Sequence, residues 1–294
     1  MGSRRPRGPA AQRLLPAGRA LHRARRAGAL AHRRGSAEVR IAELAAPEVA
    51  RRIAAGHAVL VPMGSTETHG PALPMGDYLL AEAIALRIAE AAGDALALPA
   101  LAFGGADFFR GVPGGVALSP STLTAVVTDI LVALHEGGAK RILILNGHGG
   151  NIPSIEEAQR KLRHGYGIVA PVLHLWKSAG GWQKELGGAP DALGHGGDPI
   201  ASVALHLRPD LCAPAAMKPR AALPPFLGLP VSGFGTIRAA GVDFGAPIEL
   251  EEVAAGGVAA ADPSGASAEH GARIVARLVE AATAMLAAMK GHSW

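Results

Sequence analysis

The sequence predicts an α/β domain in which helices cross over a mostly parallel sheet. Its 294 residues are 49% hydrophobic, 18% charged and 4% aromatic, which is typical of a soluble chain with one large α/β domain or two small ones. From Ile41 onward, short apolar runs alternate with longer runs of helical period, the pattern of strands joined by crossover helices. Because no repeat or linker marks a second domain, residues 38–294 are predicted to form one domain.

The first half of the domain alternates helices with two strands. In chain order these are a helix at 46–56, a strand at 58–62, a helix at 78–92, a strand at 96–102 and a helix at 119–137. Asp77 and Ser119 stand at the N-cap positions of the second and third helices, where short polar side chains accept a backbone N–H. A polar, Gly- and Pro-rich loop is predicted at 64–76 and an irregular surface loop at 104–119.

The second half begins with the clearest buried strand, RILIL at 141–145. An unbroken apolar run between a turn and the glycine-rich NGHGGN is typical of a strand covered on both faces. A helix, a strand at 168–176, a helix at 200–207 and a long terminal helix at 268–290 are predicted to follow. Residues 213–265 are rich in Pro, Gly and Ala and show no clear period, so the sequence assigns them no element.

The net charge of +5 comes from one segment. Between Met1 and Arg40 there are eleven arginines and one acidic residue, Glu38, so this segment carries +10 and the remaining 254 residues carry −5. A basic face on the folded body is therefore not expected, and nucleic-acid binding is a minor alternative confined to the first forty residues. Residues 1–37 are predicted to be a disordered, arginine-rich tail, because Pro and Gly interrupt every candidate element.

Several roles stay open for this tail: a transit peptide, a nucleic-acid arm, a twin-arginine export signal, a translated upstream extension or a solvated tail. The export signal is disfavoured because no apolar stretch of about 7 to 15 residues follows Arg4 and Arg5. A single cysteine, Cys212, excludes an internal disulfide framework. No apolar run approaches the ~18 residues of a membrane helix. We therefore expect a cytoplasmic protein that makes no contact with membranes.

Three short segments near predicted strand ends and helix starts concentrate ionisable residues. The first, GSTETHGPALPMGD, follows the strand at 58–62. If the chain stays extended there, Glu67 and His69 project to the same side, and Asp77 can return to them from the next helix start. Two carboxylates and an imidazole would form a site for Zn²⁺, Mn²⁺ or Fe²⁺. The alternative is that Asp77 only caps its helix while Glu67 and His69 are solvated.

The second segment, NGHGGN, ends the strongest strand, and ligands bind at such carboxyl ends in α/β sheets. A phosphate-binding loop is the competing interpretation, but the segment lacks the Lys-Ser/Thr of a P-loop and the spacing of a dinucleotide fingerprint. Because the glycines let the backbone approach a bound group closely, His148 is predicted to be a metal ligand. In the third segment, GHGGD, His195 is a candidate proton shuttle or ligand; taken alone, this segment is an ordinary Asp-Pro turn.

Taken together, the segments resemble the creatininase (creatinine amidohydrolase) family. The resemblance rests on VPMGSTETHGPALPMGD, SPSTLTAVVTDILVALHEGGAKRILILNGHGGN, GHGGDPIAS and GVAAADPSGASAEHG, in that order, and covers the chain from Glu38 to its C-terminus. It implies a three-layer αβα sandwich, a metal-dependent amidohydrolase, two metal ions bridged by a water, and a homohexamer. By position, it implies that Glu67, Asp77 and His148 hold one metal, and that His69 and the bridging Asp77 hold the other.

The resemblance also implies that His195 is the histidine that moves protons, but the sequence departs from the family at two positions. Creatininase has a glutamate at the position of Gly150, and many relatives have one at the position of Ile200. Asp198, three residues after His195, is the nearest carboxylate and is expected to be a substitute ligand or a neighbour of the ligands. One or two ions per subunit are therefore expected, Zn²⁺ or Mn²⁺, with Fe²⁺ as a further candidate.

These residues predict hydrolysis of an amide or cyclic amide C–N bond in a small, non-peptide molecule, with a metal-activated water as the nucleophile. His195 or Asp198 is expected to protonate the departing nitrogen. Two alternatives stay open. One is a metallopeptidase or deformylase with the same fold, and the other is a non-catalytic scaffold that binds a metal or ligand, since both family glutamates are missing.

Overall fold

In the computed structural model, a parallel four-stranded sheet lies between two layers of helices. The structure describes residues 38–218, 223–233, 235–254, 256–258 and 261–292. The tail predicted at residues 1–37 lies outside the described residues. The strands of this sheet are β1 (Ala58–Met63), β2 (Ala95–Ala97), β3 (Ile142–Asn146) and β4 (Val172–His174), in the order β2-β1-β3-β4.

The helices account for most of the remaining regular structure. In chain order they are α1 (Ala46–Ala54), α2 (Asp77–Ala92), α3 (Pro120–Glu136), α4 (Ile152–Tyr166), α5 (Leu175–Gly181), α6 (Ile200–Leu207), α7 (Leu250–Val253) and α8 (Ala268–Met289). Within the described ranges, none of them combines the length and the apolar character that crossing a membrane requires.

Successive side chains of β1 and β3 point to opposite faces of the sheet, so the molecule has two cores. Leu60 and Leu143 pack with α2, α6 and α8 on one face. Val61 and Ile144 pack with α3 and α4 on the other. This arrangement confirms the predicted α/β fold, a three-layer αβα sandwich around a parallel sheet.

Two strands are shorter than the sequence predicts. The strand expected at 96–102 pairs continuously only over Ala95–Ala97 and then makes a single bridge from Leu101 to Met63. The strand expected at 168–176 pairs only over Val172–His174, after which Trp176 lies in α5. Pro99 and Pro171 flank the continuously paired residues and supply no backbone N–H, so each interrupts the regular pairing.

The segment at 213–265, which the sequence left without elements, contains a second sheet. Its strands are antiparallel: β5 (Val231–Gly233), β6 (Thr236–Ala239) and β7 (Val242–Gly245). Leu250 of α7 packs against Phe109. Phe109 is only 3% exposed, and residues 104–106 are also buried. The prediction that 104–119 is a surface loop is therefore wrong for these residues, whereas Asp107, Arg110 and Val116 are exposed as expected.

Candidate metal centre

Five of the predicted site residues converge on the carboxyl edge of the parallel sheet. Glu67 and His69 follow β1, and His148 follows β3. These strands are adjacent and parallel, with Met63 paired to Asn146, so both loops start at the same edge. The backbone N–H of Gly147 donates to the carbonyl of Met63 at 2.7 Å, which joins the two loops where they begin.

Asp77 faces these loops and does not cap its helix, so that prediction is wrong. Asp77 is the first residue of α2, and the N-cap residue is Gly76. Asp77 Oδ1 accepts a hydrogen bond from the backbone N–H of Ser65 at 2.5 Å, and Oδ2 accepts one from Ser65 Oγ at 3.1 Å. These bonds turn the carboxylate toward His148, whose Nδ1 lies 3.3 Å from Asp77 Oδ2.

Glu67, Asp77 and His148 form a first group, in which one ligand atom from each lies within 4.8 Å of the others. His148 Nδ1 is 3.1 Å from Glu67 Oε1. His148 Nε2 donates to the carbonyl of Gly105 at 3.1 Å. In the neutral ring, this bond leaves the Nδ1 lone pair facing both carboxylates, the arrangement in which metal-binding histidines are held.

Glu67, His69 and His195 form a second group with the same spread of ligand atoms, within 4.8 Å. His69 Nδ1 donates to the carbonyl of Pro74 at 3.2 Å, and Nε2 lies 3.4 Å from Glu67 Oε1. Glu67 is therefore the carboxylate common to both groups, whereas the family resemblance implies that Asp77 bridges the metals.

The ring of His195 is held by two stacking contacts and one hydrogen bond. It stacks on His69 at a centroid distance of 5.1 Å and on Phe109 at 4.6 Å. His195 Nε2 donates to the carbonyl of Thr68 at 2.5 Å. The imidazole is thus fixed beside Glu67 and His69.

Two buried atoms of the site, Glu67 Oε2 and His69 Nε2, have no hydrogen-bond partner among the described residues. A buried polar atom without a partner costs about 1–3 kcal/mol. Carboxylate oxygens and imidazole nitrogens oriented by backbone carbonyls are what divalent transition metals bind. The donors therefore fit a divalent metal, and the alternative of solvated loop residues fails because Glu67 and His69 are 2% and 1% exposed.

Burial and pairing act against each other on the pKa values of the first group. Burial lowers the pKa of His148, but the charges of Glu67 and Asp77 outweigh it and raise that pKa well above its ordinary value. Burial raises the pKa of Asp77. For Glu67, contact with His148 outweighs burial and lowers the pKa. His148 of the metal-free chain therefore carries a proton that a metal ion has to replace.

His195 behaves differently from His148. Burial, followed by the charge on His69, lowers the pKa of His195 to about 4. Its ring is therefore neutral near pH 7, a state in which it can accept a proton or bind a metal ion.

Sequence patterns alone did not identify the residues that hold the His148 loop. Asn151 Oδ1 accepts from the N–H of Gly105 at 2.8 Å, and Asn151 Nδ2 donates to the carbonyl of Gly64 at 3.1 Å. Asn146 Oδ1 accepts from the N–H of His148 at 3.2 Å. Both asparagines flank the glycine-rich motif, a signal that could have identified them, whereas nothing in the sequence points to Phe109.

Asp198 lies outside both donor groups. Its Oδ1 accepts from the N–H of Ser202 at 3.0 Å, and its Oδ2 accepts from Gln183 Nε2 at 3.1 Å. Gln183 Oε1 in turn lies 3.0 Å from Nε2 of His270, which is 4% exposed. Asp198 thus anchors the first turn of α6 and is not a member of either donor group; its role as proton donor or neighbour of the ligands stays a prediction.

One protein family and several known proteins match this chain. The Creatininase family, described as creatinine amidohydrolase, matches residues 42–286. The mycofactocin precursor peptide peptidase of Mycolicibacterium smegmatis is 35% identical over 161 residues, 52% of this chain and 58% of that protein. The creatinine amidohydrolase of Pseudomonas putida is 38% identical over 143 residues, 44% of this chain and 54% of that protein. The matches thus span little more than half the length of these two relatives.

Solved structures agree over more of the chain. A crystal structure of creatinine amidohydrolase superposes with a TM-score of 0.67 at 28% identity, covering 84% of this chain and 96% of that one. A manganese creatininase and a Zn-Zn type mutant creatininase each give a TM-score of 0.66 at 28% identity, covering 84% of this chain and 97% and 96% of theirs. Since the family match extends from residue 42 to residue 286, this chain belongs to the creatininase family.

Proposed function

We propose that this chain is a metal-dependent hydrolase of amide C–N bonds. The observation that carries the proposal is the buried convergence of Glu67, Asp77 and His148, with the second nitrogen of His148 tied to Gly105. Solved creatininases with manganese and zinc support Mn²⁺ or Zn²⁺ as the metal. A divalent metal bound there lowers the pKa of a bound water toward ~7 and polarises a carbonyl oxygen.

The chain's own residues orient the donors and exclude bulk water. The carbonyls of Gly105 and Pro74 select the ring tautomers in which His148 and His69 direct a lone pair into the site. The departing nitrogen of an amide must be protonated. We propose that His195 takes part in this step, which its position beside the donors supports. The contacts of Asp198 with Ser202 and Gln183 support a positioning role for that carboxylate.

We propose a small amide or cyclic amide as the substrate class. The site is enclosed: none of its five donors is more than 9% exposed, and Phe109 packs directly on His195. A small molecule needs less opening of this enclosure than a peptide chain does. The second candidate is a peptidase on the same fold, which the 35% identity to a mycofactocin precursor peptide peptidase favours.

The test is a screen of cyclic amides, formamides and short peptides against the purified chain loaded with Zn²⁺ or Mn²⁺. We expect turnover of a small amide, and loss of both turnover and metal in His148→Ala. The matched control is His164→Ala, which removes an exposed histidine of α4 and should retain both. Turnover of peptides alone would favour the peptidase, and a chain that binds neither metal would favour the non-catalytic scaffold.

We also propose that the chain is a cytoplasmic homo-oligomer, a hexamer as the family resemblance implies. The single cysteine is in keeping with a reducing compartment. Val242 and Phe244 of the edge strand β7 are 57% and 53% exposed, and exposed apolar side chains on a strand edge are typical of an interface. Light scattering on the purified protein should give six chain masses; a monomer at all concentrations would contradict the proposal.

A further inference from the structure

We infer that His195 is a ligand of a second metal ion, which it holds together with Glu67 and His69. The inference deepens the proposed function and depends on it. For His195 it replaces the proton transfer proposed above, which the family resemblance also implies, with metal binding. It rests on three features of the described residues.

The first feature is the donor set. One ligand atom each from Glu67, His69 and His195 lies within 4.8 Å of the others, and all three side chains are buried. The two site atoms without hydrogen-bond partners among the described residues, Glu67 Oε2 and His69 Nε2, both belong to this group. A cation between these side chains would satisfy both atoms at once.

The second feature is the fixed orientation of His195. Its ring stacks on both His69 and Phe109, and the carbonyl of Thr68 holds its Nε2. A metal ligand benefits from such preorganisation because the ring is already oriented before the ion arrives.

The third feature is the exclusion of other candidates for this position. A Cβ at Gly150 would lie 1.9 Å from the carbonyl oxygen of Gly105 and 2.6 Å from His148 Nε2, so no side chain fits where creatininase has a glutamate. The oxygens of Asp198 are bound by Ser202 and Gln183. Within the described chain, the donor group that contains His69 is completed by Glu67 and His195.

The experiment measures metal stoichiometry and does not depend on activity. The full chain is stripped with a chelator, loaded with Zn²⁺ alone, desalted and analysed by elemental mass spectrometry, and Zn²⁺ affinities are obtained by calorimetry. We expect two ions in the wild type and one in His195→Ala, with the second affinity lowered at least about tenfold. His206→Ala, a half-buried histidine of α6 outside both groups, is the matched control and should bind two.

A second variant and a second signal keep the test decisive if His195→Ala folds poorly. His195→Gln keeps a polar side chain of similar length, and Co²⁺ absorption spectra report the donor set directly. We expect the spectrum of the second ion to disappear or shift in His195→Gln and to persist in His206→Ala. Two tightly bound ions and an unchanged Co²⁺ spectrum in the His195 variants would overturn the inference, as would a single ion in the wild type, and either result would leave the proposed hydrolase intact. Absence of any ion from the wild type would instead remove the proposed function itself.

Discussion

At the scale of single residues, protons and metal ions compete for the same side chains. Burial lowers the pKa of His148, but Glu67 and Asp77 raise it well above the ordinary value, so the metal-free chain keeps this proton to a higher pH than an ordinary histidine does. Metal affinity should therefore rise with pH until the raised pKa is passed and then level off, changing up to about tenfold per pH unit for each proton displaced. Competition with a chromophoric chelator between about pH 6 and about pH 9 measures this. An affinity that stays constant across that range would contradict the assignment of His148.

A pair of neighbouring glycines provides a second test at the residue scale. A Cβ at Gly150 would lie 1.9 Å from the carbonyl oxygen of Gly105, whereas a Cβ at Gly149 would have no atom of the described chain within 4 Å. Gly150→Ala should therefore lower the free energy of unfolding by about 1–3 kcal/mol. It should also weaken metal binding, because Gly105 holds His148. Gly149→Ala should change the free energy of unfolding and the metal affinity only slightly. Urea unfolding measures the first quantity, and equal destabilisation by the two variants would contradict this account.

Sequence reasoning reached the donors of the site but not their supports. Glu67, His69 and His148 lie in short motifs directly after strands, where the parallel sheet brings loops together, so spacing alone was informative. Phe109 stacks on His195 from a distant loop, and Asp198 is bound by Gln183. Both contacts depend on tertiary packing, and no local pattern encodes them.

Helix packing next to the site can be tested at the element scale. Helix α8 crosses α6 so closely that a Cβ at Gly271 would lie 2.0 Å from the carbonyl oxygen of Ser202. Gly271→Ala should therefore destabilise the protein by about 1–3 kcal/mol, although alanine is intrinsically the better helix former by ~1 kcal/mol.

The matched control for this prediction is Gly165 of α4, where no atom of the described chain lies within 4 Å of an added Cβ. Gly165→Ala should show only the helix-propensity gain and stabilise the protein by up to ~1 kcal/mol. Thermal or urea unfolding of both variants measures the opposite signs. Stabilisation by Gly271→Ala would mean that α6 and α8 pack less closely than described.

Elements with strong periodicity or a clear cap were predictable, and those defined by distant pairing were not. The helix expected at 200–207 is observed as Ile200–Leu207, and Ser119 caps Pro120–Glu136 by accepting from the N–H of Thr122. The strands β5, β6 and β7 escaped because each is short, and their alternation is interrupted by Gly and Pro. Their pairing depends on one another and on the loop around Phe109, which local sequence does not reveal.

At the scale of the whole molecule, several layers of the fold together enclose the site. The sheet edge supplies the loops that hold Glu67 and His148, while α7 packs against the loop that contains Phe109. Composition predicts an α/β body but not this cover, since α7 lies in a part of the sequence, 213–265, that has no readable period. The enclosure in turn supports the proposal of a small amide substrate, because none of the five donors is more than 9% exposed.

The uneven charge of the whole chain gives the last prediction. Residues 1–35 contain ten arginines and no acidic residue, so deleting them changes the net charge from +5 to −5. The contacts that start the described fold lie beyond that point: the carbonyl of Val39 accepts from the N–H of Ala97 at 2.8 Å, and Arg40 pairs with Glu82 at 2.6 Å. The truncated protein should therefore keep its melting temperature, metal content and hydrolysis, and should lose the salt-dependent retention on heparin expected of the full chain. A longer deletion through residue 44 removes both contacts and should lower the melting temperature. Loss of soluble, metal-loaded protein in the shorter truncation would contradict a domain that begins at residue 38.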